Sequence, residues 1–588
     1  MKKNSNLVKL QNLLKEKKID FFLINRSDEY LNEYIAPKAE RLNFITNFSG
    51  SAGRAIIAQD EAILYVDGRY TFQASNQINK NEITSKHLNS FWDDLEKLLT
   101  GKEYIVAIDP FLHSITEIEK IKIIIENTKC KLKLIEKNLV DLIWKDQPYT
   151  EYTKIFDHPI KFAGETREKK LNKLKNFLDD NTIDYYFVTG LDNIAWVLNI
   201  RADDIKYTPL VYAHLLISKN SKHSLYIKEN VISDTLKKTI KENVNIFDIN
   251  KISSIFENIS FSDKIGFDYN TTTYYFLKLL EEKNIQSINL KNPCILLKAI
   301  KNDTEKVGAK KAHIRDGVCI TKYIFWLKNK MDPKSYNEIS VANHLEDIRK
   351  KNDFFHSLSF DTISAIDKNA ALPHYRVTEE SKTSFSKNNI YLVDSGAQYY
   401  DGTTDITRTI ILGSPTQEQK DRFTRVLKGH ITLSSHVFEK GTKGTDIDYL
   451  ARLSLNEINL DYDHGTGHGI GSFLSVHEGP QRIAKKSMFE SVELMPGMIL
   501  SNEPGYYKEN EYGIRTENLV LIKENDDGML YFENISWCPI DVELIEKKLL
   551  SKQEILWLNK YHSDVFKNLQ KYLKSEERNW LRNITLPI

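Results

Sequence analysis

This chain repeats itself, and that limits its fold more than any other feature. Leu7, Leu10 and Leu14 sit at helical spacing and lead into Ile19-Asp20-Phe21-Phe22. Displaced by 164 residues, Leu171, Leu174 and Leu178 lead into Ile183-Asp184-Tyr185-Tyr186. An amphipathic helix feeding a short apolar strand is therefore written twice. The register agrees through both elements, which predicts two similar α/β domains in tandem. At roughly 100–200 residues per domain, 588 residues hold three to five domains. Pro148 and Pro159 break helix between the repeats and favour a linker near residue 160. Asn302-Asp303-Thr304 forms a capping cluster ahead of Glu305, where a long helical pattern starts. The tail after Leu544 reads as one or two terminal helices. The expected division is 1–160, 161–298 and 299–588, with a helical extension from about 541. The charged run from Lys571 to Arg578 reads as a solvated face.

Charge and cysteine usage narrow the function. Lys and Arg number 82 against 81 Asp and Glu, a formal net charge of +1. That balance gives no global electrostatic reason to expect nucleic acid or an anionic membrane as partner. The opening MKKNSNLVKLQNLLKEKK has no continuous apolar core, so it does not read as a secretory signal. No stretch approaches the ~20 apolar residues that span a bilayer. A cytoplasmic protein is expected. Cys130, Cys294, Cys319 and Cys538 contain no CxxC pair and read as reduced, buried thiols.

The chemistry lies between residues 370 and 520. Asp394, Asp405, His468, Glu503 and Glu517 appear there in order as candidate metal ligands. Four carboxylates and one imidazole suit Mn, Co, Fe or Zn, and suit a pair of ions better than one. A structural zinc site would use Cys and His. Most of these residues have an ordinary reading when taken singly. Asp394 could be a turn residue, Asp405 a solvent-facing strand residue, and Glu503 a charge beside the Pro504-Gly505 turn. Glu517 differs, because it alternates with Leu519 and Leu521 and should be buried with them. A buried carboxylate without a partner is costly.

Two aspartates that share an ion pair must bring their carboxylates within about 4–5 Å. A two-residue hairpin tip at Asp401-Gly402 would leave Asp394 roughly 13 Å along the strand from the residue facing Asp405. The expected pairing is therefore centred near Tyr399-Tyr400, with Asp394 opposite Asp405 and Asp401-Gly402 in a wider turn or bulge. In HGTGHGIG, four glycines make a helix through His464 and His468 implausible. The Glu of HExxH is also missing. Glycine-rich backbone suits close approach to a ligand. His374, His464 and His477 remain as candidate proton donors or oxyanion stabilisers.

The order Asp, Asp, His, Glu, Glu resembles the creatinase/methionine aminopeptidase, or pita-bread, superfamily of metallopeptidases. VDSGAQYYDGTTDITRT, HGTGHGIGSFLSVHEGP and SNEPGYY with GIRTENL resemble the long three-domain aminopeptidase P family in particular. So do ITNFSGSAG, DGRYTFQA and LDNIAWVLNIRADDI, so the likeness covers nearly the whole chain. It implies two creatinase-like α/β domains followed by an α+β pita-bread catalytic domain with a curved antiparallel sheet. It implies two divalent ions, typically Mn2+, held by Asp394, Asp405, His468, Glu503 and Glu517, with Asp405 and Glu517 bridging. His374, His464 and His477 match the active-site histidines, and Tyr507 and Arg515 match substrate-pocket positions.

The implied reaction is hydrolysis of an N-terminal Xaa-Pro bond. A hydroxide bridging the two ions would be the nucleophile, Glu503 the general base, and His477 the oxyanion stabiliser. The implied substrates are peptides with proline second. A prolidase limited to Xaa-Pro dipeptides, and a binding module without chemistry, are the alternatives. Trp557, Leu558, Trp580 and Leu581 are expected to form either an oligomerisation surface or an internal cap. The resemblance favours the surface, in a homodimer.

Overall fold

A computed structural model describes residues 5–486 and 491–588. It divides into two compact units. The first comprises the chain up to Asp157, Glu165–Lys206 and Leu210–Cys294, and the second comprises His158–Gly164, Tyr207–Pro209 and Ile295–Ile588.

The first unit contains both repeats. Helices Asn6–Glu16 and Arg167–Asp180 bury Leu7, Leu10, Leu14 and Leu171, Leu174, Leu178. Each helix ends in a left-handed residue, Lys18 at φ 52° and Thr182 at φ 51°, which turns the chain into a strand. The two strands, Phe21–Asn25 and Tyr185–Val188, each lie inside a six-stranded sheet. Taking each sheet's strands in chain order, both have the order 4-3-2-1-5-6. The repeated aspartate does the same work twice. Asp20 accepts a hydrogen bond from the Ile105 N–H at 2.7 Å, and Asp184 accepts one from the Lys264 N–H at 2.9 Å. In each case it fastens the first strand to its parallel neighbour. The repeats also join reciprocally. The Ile115 N–H donates to Thr272, and the Tyr274 N–H donates to His113, each at 3.0 Å.

The second unit is built of antiparallel strands and helices. Its first long helix, Asp303–Asn329, starts at the expected place, with Asn302 and Glu305 forming a capping box. Strands Asn389–Ser395 and Ile406–Leu412 pair along their whole length and are buried throughout. Their register corrects the expected one. Asp394 faces Thr407, not Asp405, and Tyr399 pairs with Gly402. The hairpin therefore closes at Tyr400-Asp401, one residue later than expected. Asp401 belongs to this tip because its carboxylate is held inside the protein, where both oxygens accept from Arg315 at 3.0 Å. Asp405 lies two residues from Thr407, so Asp394 and Asp405 are diagonal neighbours on one face, still within mutual reach.

Two helices close the chain, Lys552–Leu569 and Ser575–Ile584. Leu558 and Leu581 are fully buried in the chain's own core. Trp557 stacks on Tyr561, and Trp580 meets Phe325 edge-on. These four residues pack against the chain's own core, Leu558 and Leu581 completely and the two tryptophans in part. Among the described residues no helix is long and apolar enough to cross a membrane. All four cysteines are buried, and none of them forms a disulfide.

Candidate metal centre

Three of the five expected ligands meet closely. One ligand atom each from Asp405, His468 and Glu517 lies within 4.8 Å of the others, and all three residues are buried. Asp405 and Glu517 stand just ahead of the strands Ile406–Leu412 and Asn518–Glu524. The Glu517 N–H donates to the Thr407 carbonyl at 3.2 Å, which ties the two approaches together. His468 lies on a two-residue strand, Gly467–His468, and its N–H donates to Ser501 Oγ at 2.9 Å. No helix forms there, as the glycines require. A Cβ at Gly467 would lie 2.1 Å from the Ser501 carbonyl, and one at Gly469 2.0 Å from the Glu478 carbonyl. These glycines admit neighbouring backbone, where the sequence suggested a ligand.

Glu503 joins the group from the end of the Ile499–Asn502 strand. His468 Nε2 is 3.5 Å from Asp405 Oδ2 and 3.5 Å from Glu503 Oε1. The Nδ1–H of His468 donates to the Gly469 carbonyl at 3.0 Å, which leaves the Nε2 lone pair towards the carboxylates. Asp394 is reached through Arg515, whose Nη2 donates to Asp394 Oδ2 at 2.6 Å. Arg515 also donates to Tyr507 Oη at 2.6 Å and to Thr407 Oγ1 at 3.2 Å. Tyr507 Oη meets His464 Nε2 at 2.8 Å, and Thr407 Oγ1 donates to Glu517 Oε2 at 2.8 Å. One run of hydrogen bonds thus extends from His464 to Glu517. The His477 ring lies edge-on to His468 at 4.3 Å. His374 is half-buried in the turn after the segment Asp367–Ala371, which packs against the strand carrying Arg515.

Sequence reasoning missed Thr407 and Ser501. Thr407 was legible in one respect, because it alternates with Asp405 and so shares its face. Ser501 donates to Glu503 Oε1 at 3.2 Å while receiving the His468 N–H, and nothing local marks it for that.

The residues present fit divalent cations. Asp394 Oδ1, Asp405 Oδ1 and Glu517 Oε1 are buried and have no hydrogen-bond donor. Such oxygens are costly unless a cation takes them up. Burial first, and then the charges of Glu517, Asp394 and Glu503, push the Asp405 carboxyl far above the usual range. Burial and then Glu503 and Asp394 do the same to Glu517. Burial pushes Glu503 up to about 7. The centre is therefore ionised at neutral pH only at a steep cost, unless positive charge enters it.

Family models match most of the chain. Residues 308–524 match metallopeptidase family M24, and 528–588 match the C-terminal region of that peptidase family. Residues 7–136 and 146–305 each match a creatinase/prolidase N-terminal domain. A probable Xaa-Pro aminopeptidase P of Paracoccidioides brasiliensis is 37% identical over 616 residues, covering 100% of this chain and 99% of the relative. Among solved structures, the X-prolyl aminopeptidase of Caenorhabditis elegans has a TM-score of 0.94 at 32% identity and covers 99% of both chains. That protein is described as a cytosolic enzyme with a di-nuclear active site. The prolidase of Pyrococcus horikoshii has a TM-score of 0.51 at 25% identity, covering 64% of this chain and 99% of its own.

Proposed function

We propose, on the premise that this chain belongs to metallopeptidase family M24, that it is a metal-dependent aminopeptidase which hydrolyses the N-terminal Xaa-Pro bond of peptides and releases the first amino acid. The observation that carries this reading is the set of three buried carboxylate oxygens without donors, on Asp394, Asp405 and Glu517, gathered with His468 and Glu503. These five residues would hold two divalent cations, which we take from the family resemblance to be Mn2+, an ion the oxygen-dominated donor set admits. When bound, such ions polarise the scissile carbonyl and lower the pKa of water towards neutrality.

The remaining steps belong to the chain's own side chains. Glu503, held by Ser501 on Oε1, accepts the proton of the attacking water and passes it to the departing prolyl nitrogen. His477, edge-on to His468, donates to the oxyanion of the tetrahedral intermediate. His464 is set in place by Tyr507, which Arg515 holds in turn, and with His374 it flanks the proline ring. Tyr507 and Arg515 complete the substrate pocket. The prolyl nitrogen has no N–H and its φ is fixed, so such a pocket selects it by shape. We divide the chain at 160/161 and 298/299, in line with the two equivalent sheets and the cap at Asn302. We further propose a cytoplasmic homodimer. The cytosolic C. elegans relative supports the location, and the family resemblance supports the dimer.

Peptide length separates this reading from a prolidase. The prolidase fold covers only 64% of this chain, and the duplicated leading half exceeds what a dipeptidase of that kind contains. Incubation with an Xaa-Pro-Xaa tripeptide, followed by chromatography of the products, is expected to show the free first residue and the Pro-Xaa remainder. Cleavage confined to Xaa-Pro dipeptides would show a prolidase instead.

A further inference from the structure

Beside the metal centre lies a buried ion cluster that the reaction described so far does not use. Glu478 directly follows His477, and its carboxylate is completely covered. Its Oε2 is 2.9 Å from Lys298 Nζ, and its Oε1 is 2.6 Å from Lys301 Nζ. Both lysine side chains are 2% exposed or less. Lys298 closes the helix Pro293–Ala299, and Lys301 lies in the break before the helix Asp303–Asn329. Lys301 Nζ also donates to the Lys298 carbonyl at 3.0 Å. Two ammonium groups and one carboxylate are expensive to bury, and well-packed apolar residues would stabilise the fold at least as well. Such a cluster is therefore poorly explained by stability alone.

The cluster's position gives it another use. The Glu478 N–H donates to the Gly469 carbonyl at 2.8 Å, and the Gly469 N–H donates to the Gln481 carbonyl at 3.1 Å. Those bonds lay the residue after His468 against the residue after His477, and the two imidazoles end 4.3 Å apart. The Glu478 carboxylate also lies under the glycine-rich turn, where a Cβ at Gly471 would meet Oε2 at 2.8 Å. One anchored side chain thus fixes both the backbone that bears His477 and the turn that follows His468.

We infer that Glu478, clamped by Lys298 and Lys301, is the positioning residue that holds His477 over the reacting carbonyl. The inference rests on the role given above to His477. Positioning through a supporting residue is worth about 10–100-fold in activity. Glu478→Gln is expected to lower kcat on an Xaa-Pro-Xaa peptide by that factor, with KM within about threefold of the wild type and two metal ions per chain retained. The deciding measurement is a double-mutant cycle with His477→Ala. In the His477→Ala background, Glu478→Gln should change kcat less than about twofold, because the group it positions is already gone. Elemental analysis and the unfolding midpoint, measured on every variant, separate loss of position from loss of fold.

If Glu478→Gln does not fold, Lys298→Met takes its place. That variant keeps the neutral Lys301–Glu478 pair and is expected to give a smaller fall in kcat that likewise vanishes in the His477→Ala background. Equal falls in both backgrounds, or full kcat in a folded Glu478 variant, overturn the positioning role. Full kcat in His477→Ala itself would instead remove the role assigned to that histidine.

Discussion

Asp405→Asn is expected to reduce turnover about 10³-fold or more and, at the same time, to make the ion-free protein more stable. The first effect follows from the role proposed above for Asp405 as a metal ligand. Metal assistance is worth several kcal/mol of barrier, and each 1.36 kcal/mol is a factor of ten. The second effect is the diagnostic one. Asp405 is 4% exposed, and its Oδ1 has no donor. Burial, and then the charges of Glu517, Asp394 and Glu503, already make its ionised form unfavourable. An asparagine of the same shape removes one charge from that crowd and offers an N–H to its neighbours. Replacing buried ion pairs by apolar residues of similar volume stabilises by up to about 1–4 kcal/mol, which sets the scale for this relief. Calorimetry of the ion-free forms should therefore rank the variant above the wild type, and loading with divalent ions should reverse the order. An Asp405→Asn variant that turns over normally, or that melts lower than the wild type in the ion-free state, would contradict the account.

The ion-free centre is also expected to cost the protein stability as the pH rises from about 4.5 towards 7. A carboxyl whose folded-state pKa is raised destabilises the fold progressively once the pH passes its unfolded value, because the unfolded chain releases the proton first. Glu503, carried from 4.5 to about 7, accounts for roughly 3 kcal/mol by itself once fully ionised. Asp405 and Glu517, raised by burial and by their neighbours' charges, add to the cost in the same direction. Buried histidines oppose this trend at lower pH. Burial pulls His214 and His430 down to about 3, and His223 and His562 down to about 4. Their contribution grows with pH and is complete near 6.5, so the share of Glu503 is read as the difference between wild type and Glu503→Gln from about pH 4.5 to 7. Urea unfolding across that range should show the ion-free variant gaining on the ion-free wild type as the pH rises. With divalent ions present the trend should flatten or invert, since the ions bind the deprotonated ligands. An ion-free gap between the two that does not widen from about pH 4.5 to 7 would argue against a crowded anionic centre.

Much of this was legible in the sequence, for identifiable reasons. The repeat could be read because helix and strand periodicities are local, and it led to two sheets of identical strand order. The Asp20/Asp184 equivalence extended even to one shared hydrogen bond. The candidate ligands were legible from order and residue type, but strand register was not. The condition that the two aspartates share an ion pair was read as direct opposition, whereas diagonal neighbours satisfy it equally well. The hairpin tip was set by Arg315, a helix residue 86 positions away from Asp401. The ion cluster that joins Glu478 to Lys301 spans 177 residues, and no window of sequence reveals a contact of that kind. Trp557 and Trp580 show another limit of the sequence. Their helical spacing was correctly read as an apolar face, but spacing alone does not say whether that face meets the chain's own core or another molecule.

Counting the ions and following turnover on one preparation tests the central claim most directly. Protein purified without chelator, then stripped exhaustively and reloaded, should contain two divalent ions per chain before stripping. It should cleave Xaa-Pro-Xaa peptides only when loaded. Undiminished cleavage by protein shown by elemental analysis to be free of metal would contradict it.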